Sequence, residues 1–337
     1  MKNMYKILSI LIVSISYFSI SKAQEIPSSF ADLAERLMPS VVNISTTTTV
    51  TTRSNPLPFE FPPGSPFEDM FGSPQQRQTS ALGSGFIIDE EGIVITNNHV
   101  IQGASDIFVR VNGDEDYKAE VLGADAGMDI AVLKIKSDEK FKPVKFGNSD
   151  KSRIGDWVIA IGNPFGLGGT VTAGIISARN RSIGLSRYED YIQTDASINQ
   201  GNSGGPLFNM NGDVIGINTA ILGQSGSIGI GFAIPSNSAQ KVIEQLIEFG
   251  ETKRGWLGVR IQVVDQGIAD AEKLDKPRGA LVASVADNSP SDKGGIKPGD
   301  IILEFDGKPI NEMKELPKIV AETDVGKKVI VKVWRNK

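Results

Sequence analysis

The chain of 337 residues contains no cysteine and only one histidine. The absence of cysteine excludes thiol nucleophiles, disulfide bonds and cysteine-ligated zinc. Any chemistry that needs an imidazole must use the single histidine, His99. The sequence also shows no Walker-type phosphate loop and no cluster of metal ligands, so we expect neither ATP use nor a metal or other cofactor.

The balance of charged residues is mildly acidic, with 35 basic and 40 acidic side chains and a formal net charge of −5. Proteins that bind nucleic acid usually carry a basic face. We therefore expect no nucleic-acid partner, and an acidic charge of this size is typical of an ordinary soluble protein.

Residues 1–23 have the features of an export signal. Two early lysines precede an apolar core from Ile7 to Ile20, and Ser21-Lys22-Ala23 supplies small residues for cleavage before Gln24. An uncleaved anchor is the alternative, but a membrane-spanning helix needs about 20 apolar residues and this run is shorter. Cleavage would remove three lysines and leave 32 basic against 40 acidic residues, a charge of −8.

Residues 24–252 are predicted to form one β-rich domain. The 36 glycines and 17 prolines of the chain indicate many turns, and short strand-like runs alternate with them without regular helices, as in a barrel or sandwich. Residues 45–80 are predicted to be a long mobile loop. A helix that Gly250 ends closes the domain, and its predicted apolar face consists of Ala239, Val242, Ile243, Leu246 and Ile247.

The segment Gly201-Asn202-Ser203-Gly204-Gly205 is a candidate nucleophile turn. A serine hydroxyl needs a base to take its proton and donors to stabilise the oxyanion that forms. The surrounding glycines allow a tight turn with converging N–H groups, although a plain glycine-rich hairpin would look similar. The nucleophile elbow of α/β-hydrolases does not fit, because its histidine follows the serine and His99 precedes Ser203.

His99 and Asp129 are the candidate partners of Ser203. His99 follows a strand-like run at a strand-to-turn corner, and Asp129 precedes the apolar run Ile130–Leu133. A carboxylate there could fix the histidine tautomer and stabilise the imidazolium, and Asp125 is a nearby competitor for that role. The chain order histidine, aspartate, serine is that of chymotrypsin-type enzymes, which indicates a mostly β fold with a double β-barrel.

These segments resemble the HtrA/Deg family of envelope serine proteases. The matching stretches run through the three candidate residues and beyond: Thr96–Val100, Asp129–Lys134, Thr194–Leu207 and Gly231–Pro235. The resemblance implies a periplasmic, ATP-independent serine endopeptidase that degrades misfolded or unfolded proteins. A chaperone or peptide-binding adaptor on the same scaffold, with little proteolysis, is the alternative.

The resemblance also implies roles for further residues of the protease domain. The N–H groups of Gly201 and Ser203 would form the oxyanion hole, with Asn202 between them. Ile198 would wall a small apolar pocket that favours Val or Ala before the scissile bond. The substrate would pair as an added strand with Thr219, Ala220, Ile221, Leu222 and Gly223. Loops near 181–190 and 222–228 would rearrange to switch activity, and the 45–80 loop would reach toward another subunit of a homotrimer or larger assembly.

Residues 253–337 resemble a PDZ domain, a small α+β module. The resemblance assigns a carboxylate-binding loop, which would hold peptide C-termini, to Trp256, Leu257, Gly258 and Val259. The segment Ser289–Asp300 is a second match. The final PDZ strand is expected to be missing after Lys337, so the module is predicted to be truncated, and a second PDZ unit is left open.

Overall fold

The computed structural model describes residues 27–336 with six internal gaps, at 53–74, 112–114, 164–167, 185–187, 200 and 222–226. For residues 49–52, 75–80, 220 and 221 it describes only the backbone. The predicted signal segment 1–23 lies outside the described residues. Within the described part, no helix is both long enough and apolar enough to cross a membrane.

Six antiparallel strands close the first barrel, in the order β1-β2-β3-β6-β5-β4. Their bounds are β1 Val41–Thr52, β2 Gln75–Ile87, β3 Ile93–Thr96, β4 Asp106–Val111, β5 Glu115–Asp125 and β6 Ile130–Ile135. Before it lie helix α1 (Ala31–Leu37) and a short 3-10 turn (Met38–Ser40). Helix α2 (Asn98–Ile101) follows β3 directly.

Six further strands close a second barrel, in the order β10-β11-β12-β9-β8-β7. Their bounds are β7 Trp157–Gly162, β8 Thr170–Arg181, β9 Tyr191–Thr194, β10 Pro206–Asn209, β11 Val214–Ile221 and β12 Gly231–Pro235. A 3-10 turn (Ser149–Lys151) lies between the barrels along the chain. The mostly β, double-barrel architecture predicted from the sequence is confirmed.

The alternation of side chains along a strand explains why Ile130–Leu133 of β6 form a continuous apolar run. Side chains of a strand point to opposite faces in turn. In β6, Ile130 and Val132 belong to the core between the barrels, whereas Ala131 and Leu133 face the interior of the first barrel. Both faces of the strand are therefore buried, and the two barrels share one apolar core beside the corner that carries His99.

Helix α3 (Ser236–Phe249) closes the protease domain where a helix was predicted. Its buried apolar residues are Ala239, Val242, Ile243 and Leu246. Ile247 was predicted on the same face, but 42% of it is exposed, because it lies at the edge of the face that packs on the barrels. Gly250 ends the helix with φ 74°, and its N–H donates to the Leu246 carbonyl.

The predicted loop 45–80 is shorter than the sequence indicated. Strands β1 and β2 pair without a break from Val41–Phe86 to Thr52–Gln75, so residues 45–52 and 75–80 are strand. The physical reason lies in the threonine-rich run 46–52, since β-branched side chains favour extended backbone. The rest of the predicted loop, residues 53–74, lies outside the described residues.

The second unit is a small α+β module. Its sheet has five strands, namely β13 Val259–Val263, β14 Ala280–Val285, β15 Ile301–Phe305, β16 Lys308–Pro309 and β17 Val331–Trp334. Its helices are α4 Gln266–Glu272, α5 Pro290–Lys293 and α6 Glu315–Ala321. Strand β13 pairs only with β14 among the described strands, so it is an edge strand.

Candidate active site

His99 and Asp129 are joined by two hydrogen bonds. Asp129 Oδ2 lies 2.6 Å from His99 Nδ1, and Asp129 Oδ1 accepts from the His99 backbone N–H at 2.8 Å. A carboxylate can only accept here, so Nδ1 carries the proton and Nε2 presents a lone pair. The imidazole remains 47% exposed, which leaves Nε2 able to act as a base toward a neighbouring hydroxyl.

Backbone contacts fix the turn that presents Asp129. Its φ of 56° is in the left-handed region, which is sparsely populated for residues other than glycine. The Asp129 carbonyl accepts from the backbone N–H of Asn98 at 3.2 Å and from Nδ2 of Asn97 at 2.8 Å. Asn97 Nδ2 also lies 3.0 Å from Thr219 Oγ1 of the second barrel. Asn97 stands two residues before His99, but the sequence pattern does not mark it for this role.

Asp125, the competing aspartate, has different partners. It is buried and accepts from Arg254 at 2.6 Å, from the Thr252 hydroxyl and from the Met128 N–H at 2.8 Å. Burial raises the pKa of its carboxyl, but the hydrogen bonds from Arg254, Thr252 and Met128 outweigh burial and hold the pKa below its usual range. Asp125 therefore supports the turn that leads to Asp129 and does not contact His99.

The turn around Ser203 packs closely against residues 96–97, just before His99. Gly204 has φ 83°, and a Cβ there would collide with the Ser84 carbonyl oxygen and with Thr96 Oγ1. Thr96 is three residues before His99, so only glycine after the serine allows this approach. Ser203 itself is half-buried, and its carbonyl accepts from the Ser84 N–H at 2.9 Å.

Two N–H groups of the turn are available for a ligand. The Asn202 N–H donates to the Asn199 carbonyl, and the Gly205 N–H donates to the Asn202 carbonyl. In the described part of the chain, no acceptor engages the N–H groups of Gly201 or Ser203. These are the two groups that the resemblance assigns to an oxyanion hole, and Gly201 has φ 106°.

Asn202 and Ile198 are both buried. The Asn202 side chain accepts from the Asn199 N–H at 2.9 Å and donates to the Ser197 carbonyl at 3.0 Å, so it holds the turn. Ile198 is 1% exposed, and a Cβ on Gly231 would collide with it. The structure therefore places Ile198 in the core of the second barrel, beside strand β12.

The end of β11 presents an open strand edge. Its pairing with β10 ends at Ile217, whereas pairing with β12 continues to Ile221. Among the described strands, none pairs with the other edge of residues 219–221. The last two residues of the predicted substrate strand, Leu222 and Gly223, lie outside the described residues.

The predicted carboxylate-binding loop of the second unit, residues 256–259, also has backbone N–H groups that could bind a ligand. Gly258 has φ 84°, and its carbonyl accepts from the Ala286 N–H. The carbonyl of the buried Leu257 accepts from the Ser291 N–H at 3.0 Å. Within the described ranges, the N–H groups of Leu257 and Gly258 have no acceptor. Trp256 is 64% exposed beside them, and Val259 begins the edge strand β13.

Comparisons with known proteins agree with this geometry. Residues 83–217 match the model of the trypsin-like peptidase domain, and residues 255–337 match that of the PDZ domain. A probable periplasmic serine endoprotease, DegP-like, from Marinomonas sp. (strain MWYL1) is 48% identical over 322 residues, which are 91% of this chain and 68% of that protein. A protein of the same description from Hahella chejuensis is 45% identical, over 91% of this chain and 67% of its own length.

Solved structures give the same result. The HtrA-type protease AlgW with a decapeptide is 42% identical and superposes with a TM-score of 0.75, over 91% of this chain and 95% of that one. The serine endoprotease from Yersinia pestis is 35% identical with a TM-score of 0.64, over 93% of this chain and 95% of that one.

The fold and the comparisons together define a trypsin-like serine peptidase joined to a PDZ domain. The chain belongs to the HtrA-type, DegP-like family of serine endoproteases. It is therefore a serine-type endopeptidase, as predicted from the sequence. It spans about two thirds of the length of the curated relatives that it matches.

Proposed function

We propose that the protein is exported to the periplasm and there cleaves unfolded proteins without ATP, using His99, Asp129 and Ser203 as its catalytic triad. The observation that carries this proposal is the double hydrogen bond between Asp129 and His99, next to the glycine turn of Ser203. The periplasmic description of the relatives supports the location.

The proposed reaction follows from the hydrogen bond between His99 Nδ1 and Asp129 Oδ2. Nε2 takes the proton of the Ser203 hydroxyl while Oγ attacks the substrate carbonyl, and Asp129 stabilises the imidazolium that forms. The N–H groups of Gly201 and Ser203 hold the oxyanion of the tetrahedral intermediate. His99 then protonates the leaving amine, and water releases the acyl group by the reverse path.

The open edge of β11 supports an extended substrate. A peptide added to residues 219–221 would form main-chain hydrogen bonds, which recognise backbone more than sequence. A folded protein cannot offer a free extended segment of this kind, so unfolded chains are the proposed substrates. A small apolar pocket for Val or Ala before the scissile bond, with Ile198 as one wall, is proposed from the family resemblance alone.

The PDZ domain is proposed to bind peptide C-termini. The free N–H groups of Leu257 and Gly258 suit a terminal carboxylate, and the edge strand β13 offers a partner for the peptide backbone. Lys318 of α6 forms an ion pair with Asp190, so the PDZ domain contacts the loop 181–190 that we propose rearranges to switch activity. A homotrimer or larger assembly is part of the same proposal.

The substrate proposal is tested with one protein in two states. Reduced, carboxymethylated ribonuclease should be cleaved, and native ribonuclease should persist, in buffer with EDTA and without ATP. The rate on the unfolded form should exceed the rate on the native form by at least about 100-fold, because a stable domain exposes extended segments only in a small fraction of molecules. Equal rates on the two forms, or a requirement for ATP or metal, would contradict the proposal.

Replacing Gly258 with alanine should strongly weaken peptide binding by the PDZ domain. A Cβ at this position would collide with Ser289, and the positive φ adds a strain of about 1 kcal/mol. The affinity for a labelled peptide with a free hydrophobic C-terminus should fall by at least about tenfold, measured by fluorescence anisotropy.

Gly299→Ala is the matched control for this substitution. Gly299 also has a positive φ, 92°, but a Cβ there meets open space, so peptide affinity should stay close to that of the parent. Amidating the peptide C-terminus should weaken binding to the parent protein as well. An unchanged affinity in Gly258→Ala would show that this loop does not hold the carboxylate.

A further inference from the structure

Ser84 is a fully buried serine of the first barrel that contacts the nucleophile turn of the second. It lies on β2 and is 0% exposed. Its hydroxyl lies 2.5 Å from the Gly201 carbonyl oxygen and accepts from the Asn163 N–H at 2.8 Å. Its backbone carbonyl accepts from Thr96 Oγ1 at 2.8 Å. One residue thus contacts both the strand before His99 and the turn of Ser203.

The direction of the hydrogen bond from Ser84 is determined by its partners. A hydroxyl has one proton to donate. The Asn163 N–H can only donate, so it occupies a lone pair of Ser84 Oγ. The proton of Ser84 therefore points to the Gly201 carbonyl, and the hydroxyl both donates and accepts in a site closed to solvent.

This bond fixes the peptide unit between the two proposed oxyanion donors. The unit joins the Gly201 carbonyl to the Asn202 N–H. Ser84 holds the carbonyl end, and the Asn199 carbonyl accepts from the N–H end at 3.2 Å. Rotation about ψ of Gly201 or φ of Asn202 would reorient this unit relative to the flanking N–H groups of Gly201 and Ser203, so fixing the unit removes one route by which the two donors lose their alignment. Glycine at 201 offers little resistance of its own to such a rotation.

We infer that Ser84 is a positioning residue that holds the oxyanion hole in its productive form. The inference rests on the proposed function, because it takes the N–H groups of Gly201 and Ser203 as the oxyanion donors. Ser84 touches no substrate. It acts through the Gly201–Asn202 peptide unit, and its removal would lower the fraction of molecules in which both donors point at the developing oxyanion.

Ser84→Ala tests the inference. The value of kcat for a peptide substrate should fall about tenfold, while KM changes by less than about twofold, because the lost alignment matters only when the oxyanion forms. A peptide boronic acid forms a tetrahedral adduct that uses the same donors, so its affinity should fall by the same factor of about ten.

Ser236→Ala is the matched control, because Ser236 is also 0% exposed and its hydroxyl donates to a backbone carbonyl, that of Gly147, at 2.7 Å. Ser84→Ala loses two hydrogen bonds of a buried hydroxyl and Ser236→Ala loses one, so both unfolding midpoints should fall, that of Ser84→Ala further. Ser236→Ala should keep parental kcat and boronate affinity. If Ser84→Ala does not fold, Ser84→Cys keeps the volume with a weaker donor and should show a smaller loss of the same kind.

The outcomes separate this inference from the proposed function. If the parent protein neither cleaves the peptide nor binds the boronic acid, the proposed function fails. If the parent does both and Ser84→Ala equals Ser236→Ala in kcat and boronate affinity, only the positioning role of Ser84 is wrong. A loss confined to stability or to KM would likewise overturn that role.

Discussion

Replacing Ser203 with alanine should remove proteolysis and leave the fold intact. The expected loss in kcat is about a million-fold, the size seen when a triad loses its nucleophile, because the remaining groups have nothing to activate. The contacts that hold the turn are made by Asn202, Gly204 and Gly205 and do not use the Ser203 side chain. The measurement is release of labelled fragments from casein, without ATP or metal.

The control for this experiment is the same change at a serine outside the site. Ser236→Ala should cleave casein at the parental rate, and Ser203→Ala should unfold at the parental midpoint. Equal cleavage by Ser203→Ala and the parent would mean that another group is the nucleophile. Binding of casein without cleavage by the parent protein itself would instead favour the chaperone or adaptor function that was considered from the sequence.

Asp129→Asn should lower kcat/KM by about 10⁴-fold with little change in stability. Both carboxylate oxygens of Asp129 accept from His99, one from Nδ1 and one from the backbone N–H. The amide in Asp129→Asn would keep only one acceptor oxygen. If that oxygen accepts from the His99 backbone N–H, the NH2 group faces His99 Nδ1 and needs an acceptor there. His99 would then favour the tautomer with its proton on Nε2, which cannot take the proton of Ser203. Steady-state kinetics on a chromogenic peptide measure the loss.

Asp156→Asn is the matched control for this carboxylate. Asp156 also accepts from a backbone N–H, that of Arg153 at 2.8 Å, and it forms an ion pair with the same residue. The substitution should leave kcat/KM within about twofold of the parent, because Asp156 lies in a turn away from the site. A comparable loss in both variants would indicate general damage, and parental activity in Asp129→Asn would exclude its proposed role.

The candidate triad could be read from the sequence because its residues stand in recognisable local settings. A single histidine restricted the base to His99, and the order of the three residues excluded the nucleophile elbow. Glycine at 204 indicated a tight turn, and the structure shows that this glycine is also needed for contact with Thr96. Local pattern was also sufficient for the helix that ends at Gly250.

Contacts between the barrels could not be read in the same way. Ser84 and Gly201 are 117 residues apart in sequence, and Asn97 and Thr219 are 122 apart. Alternation along a strand predicts which face is buried but not which residue of another barrel lies opposite. The sequence predicts a loop for the threonines after residue 45 because the segment shows little periodicity, although their branched side chains favour the strand that forms.

The proposed mechanism requires that Ser203 is the nucleophile and that His99 activates it. A fluorophosphonate probe tests this directly, because Ser203 Oγ would form a bond to phosphorus as fluoride leaves and His99 accepts the proton. Mass spectrometry of the digested protein should find the adduct on Ser203 in the parent and almost none in His99→Ala. An adduct on a different serine, or a protein that cleaves casein yet carries no adduct, would show that Ser203 is not the nucleophile.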